Sequence, residues 1–330
     1  MSHLCAVGLV TSVRPRAVVP AEGKNLHPRR RLYPCSRCLP SSAELPERRT
    51  DMTDTTGSSG ISRSSVPTGR PVLVTGGTGT LGRPLVDALL AAGVPVRVMS
   101  RRPRARDDER PYEWARCDLA TGVGLGAAVR GVRAIVHCAT HPLKEETLVA
   151  RVIEAARQTS GPPYPHPVPH LVYISIVGVD EVPFVYYRRK LAAERRIEGG
   201  ELPWTILRAT QFHDLVAGAV RSQRRLPAVL LPRGARFQPV EVREVAARLA
   251  ALVQDEPAGR VPDMGGPEVR TAADLARAAQ RALGLRQRIV GLPVPGRTGR
   301  ALRAGRNLAP GHAVGKVTFE EYLGTAAASR

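Results

Sequence analysis

The feature that most constrains this chain is a turn with three evenly spaced glycines, Thr75-Gly76-Gly77-Thr78-Gly79-Thr80-Leu81-Gly82. It lies between the apolar run Val72-Leu73-Val74 and an amphipathic stretch over 81–92. A strand, a tight turn and a helix in immediate succession bring backbone N–H groups and the positive end of a helix to one point. An anionic group is stabilised there, above all a pyrophosphate. Gly76 suits the turn conformation, Gly79 lets the backbone approach a phosphate without a Cβ, and Gly82 permits close packing of helix on strand. Thr75, Thr78, Thr80 and Leu81 complete the candidate ligand-binding set of this turn. A second glycine group, Gly122-Val123-Gly124-Leu125-Gly126, is expected to begin a short helix instead.

Past Pro71, β-branched runs at 72–75, 96–99, 113–117, 134–138, 170–175 and 204–207 alternate with helical stretches at 81–92, 145–158 and 186–198. This alternation predicts an α/β protein with a doubly wound parallel sheet, a Rossmann fold over about 70–210. Further on the pattern loosens. Helices are expected near 212–223 and 242–253, a strand at 228–231, and a helix capped by Thr271 that runs to Leu283, followed by a tail broken by Pro and Gly. This part, about 211–330, reads as a small C-terminal substrate cap. Residues 1–69 are rich in Pro, Arg, Ser, Thr and Gly without either period, so a disordered N-terminal extension is expected, with Met52 a candidate natural start.

A site for NAD usually places Asp or Glu about 20 residues past the glycine turn, at the end of the second strand, to bond the ribose hydroxyls. Here that strand runs into Ser100-Arg101-Arg102. With a hydroxyl and guanidinium groups in place of a carboxylate, Ser100 and Arg101 suit a 2′-phosphate, which predicts NADP(H) over NAD(H). Asp118, at the end of the third strand, is placed either to touch the adenine or to cap the following segment.

The formal net charge of +20 raises the question of a nucleic-acid partner. The Arg residues are mixed with acids along helical faces, and aromatics make up only 4% of the chain, so neither a recognition arm nor a stacking platform is present and no nucleic acid is expected. No apolar run approaches the roughly 18 residues of a membrane span. Five cysteines, an odd number without framework spacing, fit a reducing, cytoplasmic setting; Cys35-Ser36-Arg37-Cys38 has no second pair to complete a zinc site. His137, His141 and His213-Asp214 are not spaced as metal ligands, so no metal is expected. The partner is a small-molecule substrate, with monomer and homodimer both open.

The glycine turn occurs together with Val136-His137-Cys138-Ala139, Leu171-Val-Tyr-Ile-Ser175-Ile-Val-Gly178 and Tyr186-x-x-x-Lys190. It is also accompanied by Leu202-Pro-Trp-Thr-Ile-Leu-Arg208 and Gly265-Gly266-Pro267-Glu268. Over roughly 71–323 the chain thereby resembles the short-chain dehydrogenase/reductase superfamily, in its atypical NmrA-like branch of NAD(P)-binding proteins. The resemblance implies Ser175, Tyr186 and Lys190 as a triad. Tyr186 protonates a carbonyl oxygen, Ser175 orients it, and Lys190 holds the nicotinamide ribose and lowers the phenol's pKa. It also places Cys138 and Ala139 beside the cofactor. Physical chemistry supports the pair independently, since residues i and i+4 share a helix face and an ammonium stabilises a phenolate. Two departures stand out: Tyr187 also lies a turn from Lys190, and Ile176 stands where many active members carry a second Ser. The implied function is an NADP(H)-dependent oxidoreductase reducing a small carbonyl, quinone or enone-like substrate. The alternative is a non-catalytic NADP-binding redox sensor that regulates a protein partner.

Overall fold

In chain order the elements are β1 (Val72–Thr75), α1 (Gly82–Ala91), β2 (Val96–Ser100), β3 (Glu113–Arg116), α2 (Leu125–Val129), β4 (Ala134–His137), α3 (Glu145–Gln158), β5 (His170–Ile176), α4 (Val185–Glu198) and β6 (Trp204–Ala209). They continue through α5 (His213–Ser222), β7 (Ala228–Pro232), β8 (Arg236–Phe237), α6 (Val242–Leu252), β9 (Gly259–Arg260), β10 (Arg270–Thr271), α7 (Ala272–Leu283), β11 (Arg288–Leu292), α8 (Gly296–Arg303) and α9 (Phe319–Ala328). This computed structural model describes residues 69–160 and 167–328. The extension expected over 1–69 lies outside the described residues except for Gly69, as do Cys35, Cys38 and Met52.

All four residues of β1 are buried, because helices cover both faces of the sheet. Val72 and Val74 pack with Leu85, Val86 and Leu89 of α1 and with Val245, Ala246 and Leu249 of α6. Leu73, pointing the other way, packs with Leu148, Val149 and Val152 of α3 and Ala193 and Ile197 of α4. Two hydrophobic layers therefore sandwich one sheet.

The main sheet has seven parallel strands in the order β3-β2-β1-β4-β5-β6-β9, so the strand order reverses between β1 and β4. In a doubly wound sheet the crevice beyond the carboxyl ends of two such strands is the usual ligand position. Six of the strands match the expected runs to within two residues. The seventh, β9, pairs Gly259 with Thr205 and Arg260 with Ile206, and at two residues it is too short to carry a readable period.

The stretch after 210 divides. β9 and α6 return to the sheet layer. Helices α5, α7 and α9 build a separate cluster, in which Ala217 and Val220 of α5 meet Leu275 and Ala279 of α7 and Phe319 and Leu323 of α9, while Leu302 of α8 packs with Val182 and Ala235. Thr271 caps α7 as its sequence suggests, its hydroxyl accepting from Asp274 N at 3.1 Å. The tail expected to be broken holds β11, parallel to β7, and helices α8 and α9. Its Pro and Gly residues fall largely in the connections, and Ile289 finds its apolar partners only in the tertiary cluster.

Candidate functional site

The glycine turn is shaped by steric necessity. Gly76 has φ 65°, and a Cβ there would stand 2.9 Å from the N and Cα of Ala139, so the turn presses on the loop that follows β4. A Cβ on residue 82 would meet the Gly76 oxygen at 2.1 Å, and one on residue 79 would meet it at 3.1 Å. Thr78, Gly79 and Thr80 are exposed. Helix α1 begins after Leu81 with no side-chain cap and no acid in its first turn, so no side-chain anion competes at its positive end. This cradle fits a dinucleotide pyrophosphate. Thr75 is placed differently: its side chain is buried, with Oγ1 3.1 Å from His137 Nδ1 and accepting from Ala139 N at 3.1 Å. It ties β1 to β4 and the loop that follows.

At the end of β2, Ser100 Oγ accepts from Arg102 N at 3.2 Å, which turns the chain so that Arg101 and Arg102 are exposed beside the crevice. Asp118 Oδ1 accepts from Ala120 N at 2.9 Å and closes a turn ahead of α2, whose own first position, Gly124, has no side-chain cap. The second glycine group opens α2, with Gly124 at φ 80°. Cys138 and Ala139 lie half-buried after β4, and burial pushes the Cys138 thiol up to about 12.

Ser175, Tyr186 and Lys190 come from the end of β5 and one face of α4, and the structure adds a residue that the sequence did not single out. Lys190 is buried and its Nζ donates to Ile174 O at 3.0 Å. It also pairs at 2.6 Å with Glu145 Oε1, where Glu145 is the fully buried first residue of α3. Tyr173 Oη donates to the same oxygen at 2.9 Å. The other carboxylate oxygen accepts from Thr140 Oγ1 and His141 N, each at 2.9 Å. Tyr186 Oη lies 2.9 Å from Thr140 Oγ1. Burial opposes the Glu145 charge, but Lys190 and the hydrogen-bond donors outweigh it and bring its pKa down to about 2. Burial likewise opposes the Lys190 charge, and Glu145 overcomes it, raising the ammonium well above its ordinary value. Ser175 Oγ and His137 Nε2 are buried with no hydrogen-bond partner. Tyr187 turns toward Phe184 and Gln211.

The remaining candidates have structural partners. His213 lies against Phe319 and Tyr322 with Nε2 3.0 Å from Val317 O, and Tyr322 Oη donates to Asp214. His141 Nδ1 accepts from Leu143 N and Lys144 N. Arg208 forms a two-pronged pair with Glu194. Gly265 and Gly266 admit the Gln238 amide and the Pro239 carbonyl at distances no Cβ would allow. Among the described residues no group of three or more His, Cys, Asp or Glu is arranged to hold a metal, and no helix is long and apolar enough to cross a membrane.

Comparison with known proteins finds reductases and an NAD(P)H-binding family. The (4-alkanoyl-5-oxo-2,5-dihydrofuran-3-yl)methyl phosphate reductase of Streptomyces griseus is 30% identical over 218 residues, 64% of this chain and 74% of that protein. The NAD(P)H azoreductase of Xenophilus azovorans is 25% identical over 226 residues, 67% and 77% of the two chains. An Escherichia coli NADPH-dependent quinone oxidoreductase, solved with NADPH, superposes with a TM-score of 0.65 at 14% identity, covering 77% of this chain and 99% of that one; this likeness shows the shared fold. A family model described as NAD(P)H-binding matches residues 76–256, from the glycine turn through the end of α6. The chain belongs to this NAD(P)H-binding family.

Proposed function

We propose that the protein is an NADP(H)-dependent reductase of a small carbonyl, quinone or enone-like substrate, an atypical member of the short-chain dehydrogenase/reductase superfamily. The observation that carries this reading is the placement of Tyr186 and Lys190 one turn apart on α4, with Tyr186 Oη bonded to Thr140 in the loop after β4. Reductases among the relatives support the same class of chemistry.

The Gly76 to Gly82 cradle takes the pyrophosphate, and Ser100 and Arg101 take the 2′-phosphate of the adenosine ribose. The dinucleotide, when bound, supplies a hydride to the substrate carbon. As that C–H bond forms, the carbonyl π pair moves to oxygen, and Tyr186 Oη gives its proton to that oxygen. Solvent then restores the proton to the phenolate. Ser175 Oγ, a buried donor with no protein partner, orients the substrate oxygen. The stretch over 211–330 selects the substrate. Its segment near Arg306 crosses the strand ends, approaching so closely that a Cβ on Gly178 would stand 1.9 Å from Arg306 O.

The test is Tyr186→Phe. Turnover of an accepted carbonyl or quinone should fall about 100-fold or more while NADPH binding persists. Unchanged turnover rejects the role of Tyr186. Tight NADPH binding with no turnover across a broad carbonyl and quinone panel favours the sensor reading.

A further inference from the structure

The hydrogen bonds around Tyr186 have a direction. Glu145 is ionised and can only accept, so Thr140, which bonds its Oε2 at 2.9 Å, spends its single proton there. Toward Tyr186 the Thr140 oxygen is left as an acceptor, and the contact of 2.9 Å therefore carries the phenol proton. The same carboxylate balances Lys190 at 2.6 Å, so the ammonium does not act on the phenol as an isolated positive charge.

We propose that Glu145 is a positioning residue that, through Thr140 and Lys190, keeps Tyr186 in its protonated form and so sets the site for proton donation. This rests on the reductase reading above and adds to it: the site enters reduction with Tyr186 already carrying the proton it donates. Other titratable groups near the network are Tyr187 on α4, Tyr173 on β5, His137 on β4, and His141 and Lys144 ahead of α3. Tyr173 donates to Glu145 and His137 stacks on Tyr173, so neither supplies a charge that replaces the carboxylate.

The experiment is an ultraviolet difference titration of the Tyr186 phenol, each protein against its own Tyr186→Phe counterpart, in the full chain without substrate. Glu145→Gln should move the ionisation down by about one pH unit or more, since a unit charge acts strongly across a few ångströms of protein. Lys190→Gln should move it up. The double variant, which leaves no uncompensated buried charge and so protects folding, should return it near the wild-type position. No shift in the single variants, or shifts of the opposite sign, overturns the proposal. At the exposed Thr140, Thr140→Val should lower kcat for reduction about tenfold with KM for NADPH unchanged, and Thr140→Ser should restore it. Unchanged kcat in Thr140→Val also overturns it. Because the titration needs no turnover, the two readings fail separately. If Tyr186→Phe keeps full turnover the reductase mechanism falls, whereas flat titrations beside a Tyr186-dependent activity remove only the role of Glu145.

Discussion

Gly82 sits so close to the Gly76 carbonyl that a Cβ on residue 82 would stand 2.1 Å from its oxygen and 2.6 Å from Gly77 Cα. Both partners are backbone, so neither can swing away. Gly82→Ala is therefore expected to displace the turn, lower stability by about 1–3 kcal/mol and abolish the rise in melting temperature on adding NADPH. Gly126→Ala provides the control. It lies in α2, where a Cβ meets nothing within 4 Å, and alanine there should be neutral or stabilising by about 0.5–1 kcal/mol. Thermal melts of both variants with and without NADPH decide the matter; a Gly82→Ala protein that still responds to NADPH contradicts the cradle.

Arg101 tests the preference for the phosphorylated dinucleotide. The Ser100 hydroxyl holds the turn that presents it, and no carboxylate stands in its place to bond a free ribose hydroxyl. Loss of a charge-assisted bond to phosphate is worth about 1.5–3 kcal/mol, so Arg101→Ala should weaken NADPH binding about 10- to 100-fold. NADH binding should hardly change. Fluorescence titration with both nucleotides reads the ratio, and an equal effect on both would show that Arg101 does not face the 2′-phosphate.

Arg208 and Glu194 are 4% and 1% exposed and meet through two bonds, at 2.9 and 2.5 Å, with Asp180 adding a third at 3.0 Å. Truncating one partner strands the other without solvent. Arg208→Met should cost about 3–5 kcal/mol in urea unfolding, and combining it with Glu194→Met should recover much of that loss. If the double variant is as unstable as the sum of the two single ones, the pair is not the source of the cost.

His137 makes stability depend on pH. Burial lowers its pKa from 6.5 to about 4, so between those values the unfolded chain binds the extra proton and the folded one does not. Stability thus falls as the pH drops from about 6.5 to about 4, by about 3 kcal/mol over the full window. Glu145, held at about 2, contributes stability that is present above about 4.5 and is lost as the pH falls toward 2, giving a second, lower step. His137→Asn should shrink the upper step, to which His170 and His213, also lowered by burial, contribute the remainder, and leave the lower one. Urea unfolding at a series of pH values measures both, and an unchanged upper step would show that another group titrates there.

Local pattern was sufficient for the sheet and the cradle. The apolar run of β1, the glycines of the turn and the amphipathic face of α1 are adjacent in sequence, and steric and hydrogen-bonding rules act over that same short range. The Tyr186 and Lys190 pair was legible for the same reason, since one helical turn joins them. In contrast, β9 and β11 became strands only because a partner strand lay beside them, and α6 joined the sheet layer by packing on α1.

The tertiary structure alone decided what surrounds the candidate site. Glu145 and Glu146 are consecutive carboxylates at the head of one amphipathic helix, and nothing in their local sequence separates them. The fold buries Glu145 against Lys190, Tyr173 and Thr140 and leaves Glu146 exposed. The sequence by itself determined the glycine turn and the helix that starts behind it, because glycine geometry and a helix end are local properties. Which acid balances the buried ammonium was decided by the approach of α3 to α4, since burying a charge is tolerated only where folding brings it an opposite charge and hydrogen-bond donors.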